Sequence, residues 1–312
     1  MVIETIRYNG WEHCIRLSDG KAEVVATTDV GPRIIRLGAV GGPNLLFEAA
    51  DQAGLTGGDE WRCYGGHRLW HAPEAKPRTY AGDNGPVAFE LLADGVRLTQ
   101  AIEPATGIGK QMELHWLAGR QGLEVIHRLT NHNLWTVPLA PWAITQMAPG
   151  GVAIMPQEPY APHPDVRRPG DDPAVPGSFL PARSLALWGF TRLDDPRWSF
   201  LEKFILVRQD PAIAAPLKFG ASNKVGWLAY GKGGDLLVKR FGWQEGARYP
   251  DLGCNAEIWT DPSLLEVETL GPMVDLEPGR TVEHRETWEF YRGVELPRDG
   301  ARLEAALAPV AG

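Results

Sequence analysis

The sequence predicts an all-β protein, a large antiparallel β-sandwich. Three observations lead there. Short runs rich in β-branched and aromatic residues alternate with Gly/Pro punctuation along nearly the whole chain. Amphipathic helical periodicity is faint, confined to Arg197 to Phe204 and to the C-terminal RDGARLEAALAPV. A dozen or more strands with so little helix must cover their apolar faces by packing sheet on sheet. At 312 residues the chain exceeds the usual domain size, but sandwiches reach this length as one unit, so a single domain over 1–312 is expected.

The elements follow in order. From Lys21, KAEVVATTDVGPRIIRLGAVGGPNLLFEA places Val24-Val25 and Ile34-Ile35 between Gly31-Pro32 and Gly41-Gly42-Pro43, which reads as strands and hairpins. Residues 51–86 carry Gly, Pro, His and aromatics with little periodicity, the composition of a functional loop. Asp94-Gly95 between two alternating runs is a hairpin signal. Met112, Leu114 and Trp116 then share one face of a strand, with Gln111, Glu113 and His115 on the other, and Leu123, Val125 and His127 repeat the pattern. The proline- and charge-rich stretch 157–184 is expected to be a long loop within the domain, a lid or an oligomer contact. Further short strands follow, with a turn at Lys232 to Asp235. The chain closes on a Pro278-Gly279 turn and a long alternating strand to Tyr291.

Composition excludes several classes. A net charge of −8 and the lack of any Lys/Arg-rich run argue against nucleic acid as a partner. No apolar segment is long enough to cross a bilayer, and the first residues lack an apolar leader, so a cytosolic protein without a membrane partner is expected. Three widely spaced cysteines, Cys14, Cys63 and Cys254, suggest neither a disulfide framework nor a thiolate metal site. ATGIGKQ lacks P-loop spacing, no G-x-S-x-G element is present, and His67 and His71 form an H-x-x-x-H pair outside helical sequence, so no metal or other cofactor is expected.

The chemistry concentrates in three stretches: GGHRLWHAPE (65–74), RLTNHNLWTV (128–137) and LLEVETLGP (264–272). Each joins histidine, arginine, asparagine or glutamate to tryptophan or to an apolar strand, the mixture that hydrogen-bonds hydroxyls and stacks on a sugar face. In the last of them, Glu266 and Glu268 lie two apart, hence on one face of a strand, where carboxylates are costly unless solvated, paired or used. A small-molecule sugar or sugar derivative is therefore the expected partner. The 12 tryptophans of the chain supply stacking surfaces, Trp70, Trp135 and Trp142 among them.

In order and spacing these motifs resemble the galactose mutarotase-like (aldose 1-epimerase) superfamily. TNHNLW is similar to the family's T-N-H segment, VETLGP to its L-E-T-Q run before a proline, GPRIIRL to its opening segment, GHRLW to its sugar-binding stretch, and LEPGRTVEHRETWEF to its closing turn and strand. The chain departs from the pattern at Leu270, which stands for the glutamine, at His67, which stands for an asparagine, and in lacking the L-H-G-G stretch. The resemblance implies a mutarotase-like supersandwich and an aldose 1-epimerase in which Glu268 is the base at the anomeric hydroxyl and His132 the acid at the ring oxygen. It further implies that His67, Arg68 and His71 hold hydroxyls, that Trp70, Trp135 or Trp142 stacks on the ring, and that Glu266 neighbours or replaces the base. Two other readings stand beside it: a non-catalytic carbohydrate-binding protein, and a sugar lyase or isomerase using Tyr64, Tyr80 or the His67/His71 pair. Each residue also has a structural reading: His132 as a polar turn, Glu268 as an ion-pair member, Trp142 as core, and Asp251 and Asn255 as turn residues.

Overall fold

A computed structural model describes residues 1–119 and 122–310. Among them the strands form two antiparallel sheets packed face to face, one of eleven strands and one of ten. The first sheet begins with the meander Val2–Tyr8, Trp11–Ser18, Ala22–Thr27 and Arg33–Ala39, and continues through His67–Ala72 to Val137–Met147. Beyond Val137–Met147 lie Leu265–Leu270, Ala256–Thr260, Leu217–Ala221 and the edge strand Leu185–Leu187. The central strand is thus flanked by segments far apart in sequence, which is what gathers a site on this sheet. The second sheet runs from Trp198–Phe200 through Phe204–Arg208, Val152–Pro156, Trp227–Lys232 and Asp235–Phe241 to Thr281–Arg292. It then continues as the meander Gly122–Asn131, Ile108–Trp116, Gly95–Thr99 and Ala88–Leu91.

Strand alternation builds the core. Leu69, Leu139, Val267 and Phe219 of the first sheet face Leu123, Val125, Leu237 and Trp288 of the second, all nearly free of solvent contact. The outer face of the second sheet is covered near Leu236 and Val238 by the helix Gly300–Leu307, through Leu303 and Leu307. Asp299 caps that helix by accepting from the Arg302 amide at 2.9 Å. The expected hairpin at Asp94-Gly95 joins Ala88–Leu91 to Gly95–Thr99. Among the described residues no helix is long and apolar enough to cross a membrane.

One expectation is corrected. Arg197 to Phe204 is not helical: Trp198–Phe200 and Phe204–Arg208 form a hairpin in which Trp198 pairs with Val207 and Phe200 with Ile205. The β-branched and aromatic content of FILVR, paired on its other side with Val152–Pro156, outweighs a weak helical period.

Candidate functional site

The outer face of the first sheet carries a cleft of about 480 Å³. Pleating alone selects its floor. Arg68 and Trp70 stand out from their strand, Trp142, Ile144 and Gln146 from the next, and Glu266 and Glu268 from the third. Glu257 and Trp259 follow, then Lys218. Register places Ile144 between Arg68 and Glu268, and Gln146 beside Glu266. Gly65 and Gly66, both at positive φ, let the Arg68 strand enter tightly, because a Cβ on either would collide with the carbonyl oxygens of Phe47 and Ile34.

Aromatic rings wall the cleft. Trp61, Trp70 and Tyr80 contact one another edge to face with centroids 5.0 to 6.3 Å apart, and Trp142 meets Trp70 at 5.4 Å. The Arg68 guanidinium lies over Trp70 at 4.2 Å, and Lys218 lies 4.7 Å from Trp142 and 4.8 Å from Trp188. Arg68 is buried, and its Nε and Nη1 have no hydrogen-bond partner among the described residues.

The two glutamates divide. Glu268 is fully buried, accepting from the Trp142 indole at 2.7 Å and from Lys218 at 3.1 Å. Lys218 also pairs with Glu257 at 2.9 Å. Burial opposes the charge on Lys218, but Glu257 and Glu268 outweigh it and hold its pKa well above the ordinary range. Glu266 reaches the cleft with a side chain 12% exposed, accepts from Gln146 at 2.8 Å and lies 3.9 Å from Arg68. Burial, reinforced by Glu268, pushes its carboxyl up to about 7, while Arg68 and Gln146 restrain the rise.

Behind the floor, between the sheets, lies a second polar group. Lys239 donates to Thr145 at 2.7 Å and to the Val267 carbonyl at 3.2 Å, and pairs with Glu286 at 2.8 Å. His67 contacts Thr145 at 2.8 Å and His127 at 2.7 Å, and His127 contacts the His284 carbonyl at 3.1 Å. Thr269 contacts His284 at 2.7 Å and donates to Glu286. A carbonyl and a carboxylate only accept, and an ammonium only donates, which fixes every proton. His127 therefore carries its hydrogen on Nδ1 and His67 on Nε2, and His284 donates through Nε2 to Thr269. His67, His127 and Glu286 bring ligand-type atoms within 4.8 Å of one another, but these lone pairs are spent within the network and Lys239 neutralises the carboxylate.

The sequence-derived candidates are thus distributed over three places. Arg68, Trp70, Trp142 and Glu266 line the cleft, and Glu268 lies buried beneath it. His67 and His71 do not face it: they point to the opposite side of their strand, His67 to Thr145 and His127, and His71 toward Arg78 and Glu103. His132 is not brought to Glu268. It sits exposed on the turn after Gly122–Asn131 in the other sheet, its amide donating to Gly107, and Trp135 on the same turn is 65% exposed. Asp251 is a turn residue at φ 50°, and Asn255 is buried, bracing the backbone of Asn223.

No family model and no curated protein sequence matches the chain. Solved structures do. A galactose mutarotase-like protein from Lactobacillus casei superposes with TM-score 0.55 at 11% identity, over 89% of this chain and all (100%) of the other. The fold is that of the galactose mutarotase-like proteins. A galactose mutarotase related enzyme from Lactobacillus acidophilus matches with TM-score 0.52 at 10% identity, over 90% of this chain and 98% of its own. A TPR-domain containing protein from Parabacteroides distasonis matches with TM-score 0.58 at 14% identity, over 92% of this chain and 49% of its own. Within this mutarotase-like sandwich, Lys218, Glu257, Trp61, Trp188 and Trp259 escaped the reading of motifs. Lys218 in LKFGA and Glu257 in AEIWT carry the signal that singled out Glu266 and Glu268, a charge inside a short apolar strand. The tryptophans stand in loops or alone, where nothing in the sequence distinguishes cleft from core.

Proposed function

We propose that the chain acts on the anomeric carbon of a sugar, interconverting anomers in the manner of an aldose 1-epimerase, with Glu266 as the proton-transfer group. One observation carries this reading: a carboxyl poised near neutrality at the edge of an aromatic-walled cleft, with Arg68 beside it and Lys218 on the same face. The Glu266 carboxylate takes the proton of the anomeric hydroxyl as a carbonyl forms at C1. The bond from C1 to the ring oxygen breaks, its electron pair stays on that oxygen, and the proton taken by Glu266 is relayed to it through solvent water, restoring the carboxylate. The Arg68 and Lys218 cations stabilise the charge growing on the ring oxygen. Rotation about C1–C2 and the reverse steps close the other anomer.

A second reading, binding without turnover, is favoured by one observation: among the described residues no histidine lines the cleft. Exchange spectroscopy on equilibrating hexoses separates the two. The proposal expects acceleration by the wild type and a return to the buffer rate in Glu266→Gln. A wild type that binds the sugar without accelerating exchange establishes the second reading instead.

A further inference from the structure

A second cavity, of about 350 Å³, adjoins the first. Both are lined by Glu74, Tyr80, Trp142, Trp188 and Lys218, so the two volumes share one wall. Each alone falls within the roughly 300–1,000 Å³ of a small-molecule site. The shared wall has the chemistry of a sugar-binding ridge. Lys218 lies over the indole rings of Trp142 and Trp188, at 4.7 and 4.8 Å, so the shared wall joins a fixed cation to two aromatic side chains. Beyond the ridge the second cavity has its own charged and hydrogen-bonding groups, Lys76 and Asp251, neither of which lines the first. Asp251 is fixed in place: it sits at φ 50° in a tight turn, and its carbonyl accepts from Cys254 at 3.0 Å. Glu266, in contrast, belongs to the first cavity alone.

We infer that the cleft takes a reducing oligosaccharide of at least two units, the reducing sugar against Glu266 and the next sugar across the Trp142–Trp188 ridge against Lys76 and Asp251. This rests on the carbohydrate reading and adds the substrate class. The orientation follows from the chemistry, since only the reducing unit has a free anomeric hydroxyl and only the first cavity holds Glu266. A monosaccharide fills one cavity and leaves the groups of the other in water. A glycosidically linked second unit reaches them without a second loss of translational freedom.

Calorimetric titration of the whole protein tests this with glucose, galactose and mannose, and with the α-1,4- and β-1,4-linked disaccharides that carry each of them at the reducing end. For the preferred sugar the disaccharide is expected to bind at least about tenfold tighter than its monosaccharide. Lys76→Ala and Asp251→Asn, the latter chosen because asparagine tolerates positive φ, are expected to abolish that gain and leave monosaccharide affinity unchanged. Trp188→Ala, on the shared wall, weakens both. A disaccharide no tighter than its monosaccharide, or a gain that survives both second-cavity variants, overturns the inference and leaves the carbohydrate reading standing. Failure of every saccharide of either length to bind removes the carbohydrate reading and this inference with it.

Discussion

The Lys218 ammonium, in the wall of the cleft, lies 3.1 Å from Glu268 and is shared with Glu257 at 2.9 Å. One cation thus serves two carboxyls that have no contact with solvent. Burial pushes Glu257 well above the carboxylate range; Lys218 opposes this, and Glu268 and Asp251 add to it. The arrangement is therefore one ammonium shared by two buried carboxyls. Replacing Lys218 by methionine leaves two buried carboxyls without their cation, which is expected to cost about 3–5 kcal/mol. Adding Glu268→Gln in that background should recover a large part of the loss. Urea midpoints of the three proteins check both steps, and an unchanged midpoint for Lys218→Met rejects the pairing.

Glu266 sets a pH dependence of opposite kinds for activity and stability. As a base it works only when ionised, so anomer exchange should rise with pH through about 7 and then level. For stability the sign is reversed. A carboxyl whose pKa is raised on folding holds its proton between its unfolded value of 4.5 and about 7, where the unfolded chain has lost it. That window is where stability falls as pH rises. Glu266→Gln removes the penalty, so the variant should equal the wild type near pH 4 and exceed it above pH 7 by on the order of 2–3 kcal/mol. Chemical denaturation at both pH values reads the difference, and a neutral-pH variant no more stable than wild type refutes the raised pKa.

How much of this was readable from sequence depends on range. Period-2 alternation put Glu266 and Glu268 on one face, and the sandwich followed from many short strands and little helix. Alternation cannot say which face looks into the core. His67 and Arg68 are neighbours in one motif, yet the first is locked between the sheets and the second opens to the cleft. The same limit made His132 a plausible partner for Glu268, since chain order carries no information on which sheet a strand enters. Lys218 comes to Glu268 only because its strand lies two places away across Ala256–Thr260, a pairing fixed by tertiary register.

The placement of His132 makes a direct comparison possible. Its turn is solvent-exposed and lies outside the cleft, so His132→Ala should leave exchange rate and sugar affinity within about twofold of wild type, and surface substitutions of this kind move stability by about 0.5 kcal/mol or less. Glu266→Gln, measured alongside, should lose the exchange. If His132→Ala abolishes exchange while the fold and binding persist, the acid–base assignment must move to the other sheet.

The inter-sheet network predicts how the fold responds to acid. Burial lowers His67 well below the ordinary histidine range, lowers His127, and brings His284 down to about 3, so His284 is neutral in the folded protein at pH 5 and above. In the unfolded chain they gain protons below about 6.5. A group with a depressed folded pKa stabilises the unfolded state as pH falls, so stability should decline from pH 7 to pH 5 by about 2 kcal/mol for His284, with His67 and His127 acting in the same direction. Glu286, held low by Lys239 against its burial, adds a further loss of the same sign once pH drops below 4.5. His284→Gln keeps a donor toward Thr269 but cannot titrate, and should flatten the decline by its own share. The backs of Thr145 and Val267 are held by this network through Lys239, so its loss in acid should also loosen the strands that carry Gln146 and Glu266. Urea midpoints at pH 7, 6 and 5 for wild type and His284→Gln decide the matter, and parallel slopes for the two proteins would show that His284 is not held neutral by the fold.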